Sequence, residues 1–116
     1  MTSRAILALL LVLHTAASAI SIRDLRRLQA SDELVGENYV HYYLIGAMEG
    51  SREAHAHAVR VGARPQICVG DRRLEPRMAL GIYQAELQRN ADLYELDMPV
   101  ELVMYNALVN TYPCNR

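Results

Sequence analysis

The N-terminus constrains this chain most, because it sets both the compartment and the length of what folds. Arg4 supplies a positive charge, Ala5 to Leu13 is an unbroken apolar run, and Ala17-Ser18-Ala19 places small residues where signal peptidase reads. The run is about half the ~18 apolar residues that a membrane-spanning helix needs. The pattern predicts a secretory signal peptide over residues 1–19, cleaved after Ala19, in preference to an uncleaved anchor or a buried helix. Residues 20–116 would then form the mature protein, about 97 residues and one domain's worth. No later segment is apolar enough to span a bilayer, so no membrane attachment is expected after cleavage.

A domain this short buries a modest share of its surface, so a covalent staple matters. Two cysteines remain, Cys68 and Cys114. An even count in an exported chain favours a disulfide over free thiols or metal ligation. Neither has a second Cys or a His at zinc-ligand spacing. The bond would close a loop of about 47 residues, worth on the order of 4 kcal/mol in the chain-entropy model.

The rest of the chain reads as helix. Ile22, Leu25 and Leu28 share one helical face near the start of the domain. Ser31-Asp32-Glu33 resembles a helix start, a capping hydroxyl followed by acids, opening a long helix to about Val59. Its expected buried stripe is Val35, Tyr39, Tyr42, Tyr43, Gly46 and Gly50. Gly46, Gly50, Ala54 and Ala58 recur every fourth residue, a ridge without bulk that would let another helix of the same domain come close. Gly62, Pro65 and Gly70 interrupt helix through the connection that holds Cys68. Pro76 marks the first turn of a third helix, ending near Asn90, with Met78, Ile82, Ala85 and Leu87 on its apolar side. Pro99 opens a fourth helix and Pro113 ends it, with Val100, Val103, Met104, Ala107 and Leu108 as its core face. The fold class is therefore all-α, a small domain of about four helices with one disulfide. If the last two helices lie side by side, Cys68 precedes the start of one and Cys114 follows the end of the other.

Little in the chain points to chemistry. The formal net charge is -1, and no basic stripe marks a nucleic-acid surface. All 12 basic residues are Arg, and the 7 Tyr carry the whole aromatic content. There is no G-x-S-x-G and no H-E-x-x-H, and no motif asks for a cofactor or metal. His55 and His57 are two apart, so on a helix they point away from each other. His41 reads as a partly buried histidine among tyrosines. Glu33 and Glu37, and Glu49 and Glu53, share helix faces, and such pairs are more often solvated than catalytic. Arg72 and Arg73, with Arg77 a turn on, form a small basic patch after Cys68, and are the candidate partner-binding residues. A binding protein rather than an enzyme is expected.

Five pieces in order carry a family resemblance. They are the signal peptide; Tyr43-Leu44-Ile45-Gly46-Ala47-Met48-Glu49-Gly50, like Y-I-x-G-V-x-D/E-G; and Ile67-Cys68, like F-C. Leu87 to Asp92 is like Y-L-x-x-H-P-E, and Leu102-Val103, Ala107-Leu108 and Tyr112-Pro113-Cys114 are like L-V-x-x-A-L-x-x-F-P-C. The chain is similar in these to the Rap/Tai immunity proteins of bacterial type VI secretion systems. It departs at Val40, where the family often has a further Cys, and at Val69-Gly70, where a Pro should follow. Asn90-Ala91-Asp92 stands for His-Pro-Glu, and Tyr112 for Phe, which makes it a divergent member. The resemblance implies a periplasmic, all-helical protein, dimeric in many members. It implies that the partner is a secreted effector toxin, a peptidoglycan-cleaving amidase, blocked by occlusion. The contrasting expectations are a small periplasmic helical chaperone, which would suppress aggregation of unrelated proteins, and an enzyme built on the carboxylates and histidines.

Overall fold

The computed structural model describes residues 19–31 and 33–115. The predicted signal peptide, apart from Ala19, lies outside the described residues. The described chain is a four-helix domain: α1 is Ile22–Ser31, α2 is Glu33–Arg60, α3 is Ala79–Arg89 and α4 is Val100–Thr111. Short 3-10 turns at Pro76–Met78 and Ala91–Leu93 flank α3. Among the described residues there is no strand; two isolated bridges join Ser21 to Pro99 and Ile67 to Pro113. No helix of the described residues is long and apolar enough to cross a membrane.

Helix α1 starts where the Ser21 side chain can cap it. The Ser21 hydroxyl accepts from the Asp24 backbone N–H at 3.1 Å and donates to the Asp24 carboxylate at 2.7 Å. That hydroxyl holds the Asp24 carboxyl below its ordinary range. The next amides, of Ile22 and Arg23, donate to the carbonyls of Met98 and Leu96 at 3.0 and 2.9 Å. The domain's N-terminal edge is thereby threaded along the segment that leads into α4. The Ser31 hydroxyl, expected to cap the second helix, instead donates back to the Leu28 carbonyl within α1, at 3.0 Å.

Helix α2 is where the expected face is wrong. Its buried residues are Val40, Leu44 and Met48, while Val35, Tyr39 and Tyr42 are exposed. Two stripes at helical spacing compete along this sequence, and the aliphatic one is buried. A tyrosine tolerates solvent through its hydroxyl, whereas Leu44 has no such outlet. Tyr43 alone of the predicted tyrosines packs against the core. The Gly46–Gly50–Ala54 ridge also faces outward, and a Cβ at Gly46 or Gly50 would meet nothing within 4 Å. No helix of the domain packs closely there. Close approach occurs at Gly36, where a Cβ would overlap the Leu28 carbonyl. Gly62, at φ 110°, ends α2 with Ala63 N–H bonding the Ala58 carbonyl at 2.9 Å and Gly62 N–H the Val59 carbonyl at 3.1 Å.

Helix α4 buries the five residues expected of it, Val100, Val103, Met104, Ala107 and Leu108. Helix α3 buries Ala79, Ile82, Tyr83 and Glu86; the expected Met78, Ala85 and Leu87 are half-buried. Ile22 and Leu25 of α1 and Ile67 and Tyr112 from the connections complete the core. Cys68 and Cys114 form a disulfide with a Cα–Cα distance of 4.9 Å. It joins the segment before α3 to the segment after α4, and the Cys68 N–H bonds the Tyr112 carbonyl at 2.8 Å beside it. A structural disulfide is consistent with an oxidising compartment.

Candidate functional site

The two loops that frame α3 are exposed and braced by side-chain hydrogen bonds. In the first, Val69 to Arg73, the arginines play different parts. Arg72 stays exposed but folds back over its own loop: its Nε donates to the Val69 carbonyl at 3.3 Å and its guanidinium to the carbonyls of Cys68 and Pro113. It also lies over the Tyr112 ring, 5.1 Å from the centroid. Arg72 thus ties the disulfide loop to the C-terminal segment. Arg73 points outward, with its side chain 73% exposed and its Nε on the Glu75 carboxylate. Arg77 reaches the same carboxylate at 2.5 Å. Glu75 therefore gathers Arg73 and Arg77 into one patch and cancels half their charge, while Arg72 is turned away from them. The Tyr112 hydroxyl donates to the Arg73 carbonyl at 2.5 Å, fixing the backbone beneath the patch.

The second loop runs from Ala91 to Asp97. Asp92, Glu95 and Asp97 are exposed on it, with Leu93 63% exposed and Leu96 partly so. Its backbone is held by the Glu86 cluster beneath. Glu86 is fully buried on α3 and accepts from Asn90 at 3.0 Å, Tyr94 at 2.6 Å and Asn110 at 3.0 and 3.2 Å. Asn106 donates in turn to the Tyr94 hydroxyl at 3.1 Å. Burial opposes ionisation of Glu86, but the bonds from Asn110, Tyr94 and Asn90 outweigh it and hold the carboxyl below its ordinary range. Burial, then the neighbouring carboxylate, push Tyr94 up to about 12. The result is an acidic loop with two outward leucines on a fixed backbone. Arg23 N–H on the Leu96 carbonyl braces its far end.

The remaining sequence candidates separate. His55 Nε2 accepts from the backbone N–H groups of Gln66 and Ile67 at 3.0 and 3.2 Å, so it pins the disulfide connection to α2. His57 is exposed, and His41 is half-buried, edge-on to Tyr42. Glu49 pairs with Arg52 at 3.3 Å, and Glu53 and Glu37 are exposed. The Glu33 side chain lies outside the described residues. Among the described residues no three His, Cys, Asp or Glu side chains cluster as metal ligands would.

The Glu86 cluster was not anticipated. The available signal was Asn106 and Asn110, one turn apart in the mainly apolar second half of the last helix, where amides need partners. No protein-family model, curated protein or solved structure matches the chain.

Proposed function

We propose that the chain is a periplasmic immunity protein of the Rap/Tai kind, one that binds a secreted effector toxin, a peptidoglycan-cleaving amidase, and occludes it. The observation that carries the reading is the braced Ala91–Asp97 loop, whose acids and leucines stand on a backbone fixed from below by Glu86 and Tyr94. Rigid loops that present an apolar anchor within a charged rim suit protein recognition, because little ordering entropy is lost on binding. The order of the family-like motifs adds support. Two of them, Ile67-Cys68 and Tyr112-Pro113-Cys114, lie side by side and are joined covalently. A tight inhibitor needs about 800 Å² of its own surface. The Ala91–Asp97 loop follows α3 and the Arg73–Arg77 patch precedes it, and these are the proposed contact segments.

The test is co-expression in the periplasm with the secreted protein encoded beside this gene. Rescue from toxicity that is lost when residues 1–19 are deleted is the expected result. Exchanging Leu93 and Leu96 for Asp should abolish rescue while leaving the melting temperature unchanged. Rescue by that variant would remove the loop from the interface. No rescue and no complex on a sizing column would count against the pair. Suppression of aggregation of unrelated proteins would favour the chaperone reading, for which the exposed Leu34, Val35 and Tyr42 are the relevant surface.

A further inference from the structure

Glu101 lies in the first turn of α4, half-buried against α2. One of its oxygens accepts from the Tyr43 hydroxyl. The other, Oε2, is buried and has no hydrogen-bond donor. Among the described residues the ion pairs are those of Arg52, Arg73 and Arg77, and none involves Glu101. A buried carboxylate oxygen in that state awaits a donor or a cation.

The nearest new source of charge is the start of the domain itself. Ile20 packs against the core, and its carbonyl accepts from the Val100 N–H at 3.0 Å, one residue before Glu101. Its backbone N–H lies near the same Tyr43 hydroxyl that binds Glu101 and works against the rise of that hydroxyl's pKa. The bridge from Ser21 to Pro99 holds this edge in register. Ala19, the residue before, is exposed. The Ile20 nitrogen, the Tyr43 hydroxyl and the Glu101 carboxylate therefore meet at the bond where the signal peptide is expected to be cut.

We propose that Tyr43 and Glu101 form an internal receptor for the α-ammonium group that cleavage after Ala19 creates at Ile20. The step is a peptidase-catalysed hydrolysis. Water adds across the Ala19–Ile20 peptide bond, leaving a carboxylate on Ala19 and an amine on Ile20, which takes up a proton. The single amide donor becomes an ammonium with three. One donor is placed to serve the Tyr43 hydroxyl, and a second serves Oε2. The opposite charges stabilise each other's ionised forms. The other titratable groups around the site are Tyr39 of α2, Tyr83 of α3 and Arg26 of α1. A chain still joined to its leader lacks the charge, and a cut one residue away puts it out of place. Processing thus completes the fold. This inference rests on the export reading above and names the bond to be cut.

The experiment begins with the full chain, exported through its own leader and purified. Its intact mass is expected to place the N-terminus at Ile20. A cut elsewhere overturns the proposal and leaves export standing, whereas an unprocessed chain overturns both. The chain has no Lys. The Ile20 amine is therefore the sole amine of the processed protein, and an N-hydroxysuccinimide acetate labels it alone. Acetylation at neutral pH is expected to be about tenfold slower than in Glu101→Gln, the protection that one unit of raised amine pKa gives. Tyr43→Phe, which keeps the carboxylate, should stay protected. Equal rates in the wild type and Glu101→Gln overturn the proposal. So do equal rates in the folded and urea-unfolded wild type, a comparison that needs no variant to fold.

Discussion

The α3–α4 pair and helix α2 are stabilised by different kinds of contact. Around α3 and α4 the ties are directional: the Cys68–Cys114 bond, the Arg72 and Tyr112 contacts beside it, and the Glu86 cluster with Asn90, Tyr94 and Asn110. Helix α2 has such ties to the rest of the domain at Tyr43 and His55, and otherwise packs through an aliphatic stripe of Val40, Leu44 and Met48, leaving Tyr39, Tyr42, Gly46 and Gly50 to solvent. Directional contacts gather where the backbone leaves a helix, because loop carbonyls and amides need partners that a helix supplies internally. An apolar stripe suffices for a 28-residue helix whose backbone bonds are its own. The contact loops of the proposed interface belong to the first region, where rigidity has been built.

The largest effect should fall on the directional region. Replacing both cysteines by serine, or reducing the bond, should cost about 4 kcal/mol. Urea unfolding of oxidised and reduced protein measures it. A loss below about 1 kcal/mol would mean that the hydrogen bonds hold the loops alone, and the contrast would narrow to one of polarity.

Next in size is the stripe of α2. Leu44→Ala should cost about 3 kcal/mol, since its side chain is fully buried. Tyr42→Ala, at a residue 71% exposed, should stay within about 0.5 kcal/mol. Thermal melts of the two variants separate the faces. Similar losses at both would show that the tyrosine face is covered in solution, by a second copy or another protein.

What was legible in the sequence follows the same division. The five core residues of α4 were readable because they are aliphatic and form one unbroken stripe between two prolines. The cysteines were readable because two in a short domain expected to be exported have few other roles. The face of α2 was not, because Tyr scores as apolar at helical spacing yet needs no burial, and Gly46 and Gly50 mimic a packing ridge. The candidate site was half legible. Arg72 and Arg73 are adjacent in sequence, but contact with the Cys68 and Pro113 carbonyls folds only Arg72 back onto the backbone. Glu86 was hidden by its charge, since a carboxylate at a core position reads as solvent-facing until its donors, 4 to 24 residues away, are brought in.

Glu86 therefore gives the third test. Glu86→Gln should cost about 2 kcal/mol, since an amide turns a donor toward groups that themselves donate. The pH dependence has a fixed sign. Its folded pKa is lowered, so the stabilisation is present above the unfolded value and is lost as pH falls through the folded one. The wild type should lose stability on acidification below the ordinary Glu value of about 4.3. The variant should lose less over the same range. Parallel acid limbs for the two proteins would show that the cluster does not depend on the carboxylate's charge.

The smallest effects come from two glycines of one helix and should have opposite signs. At Gly36 a Cβ would overlap the backbone carbonyl of Leu28, which no side-chain rotation relieves. Gly36→Ala should push α1 off α2 and cost about 1–2 kcal/mol. At Gly46 a Cβ meets nothing within 4 Å, and the only consequence is a less flexible unfolded chain and a better helix former. Gly46→Ala should raise stability by up to about 1 kcal/mol. Paired denaturation curves decide it. A loss at Gly46 would require a neighbour that the monomer does not contain, which a sizing column would reveal as a dimer closed along the Gly46–Gly50–Ala54 ridge. A gain leaves the ridge solvated and confines close helix packing to the α1–α2 corner, where a single glycine with no side chain sets the distance between two helices.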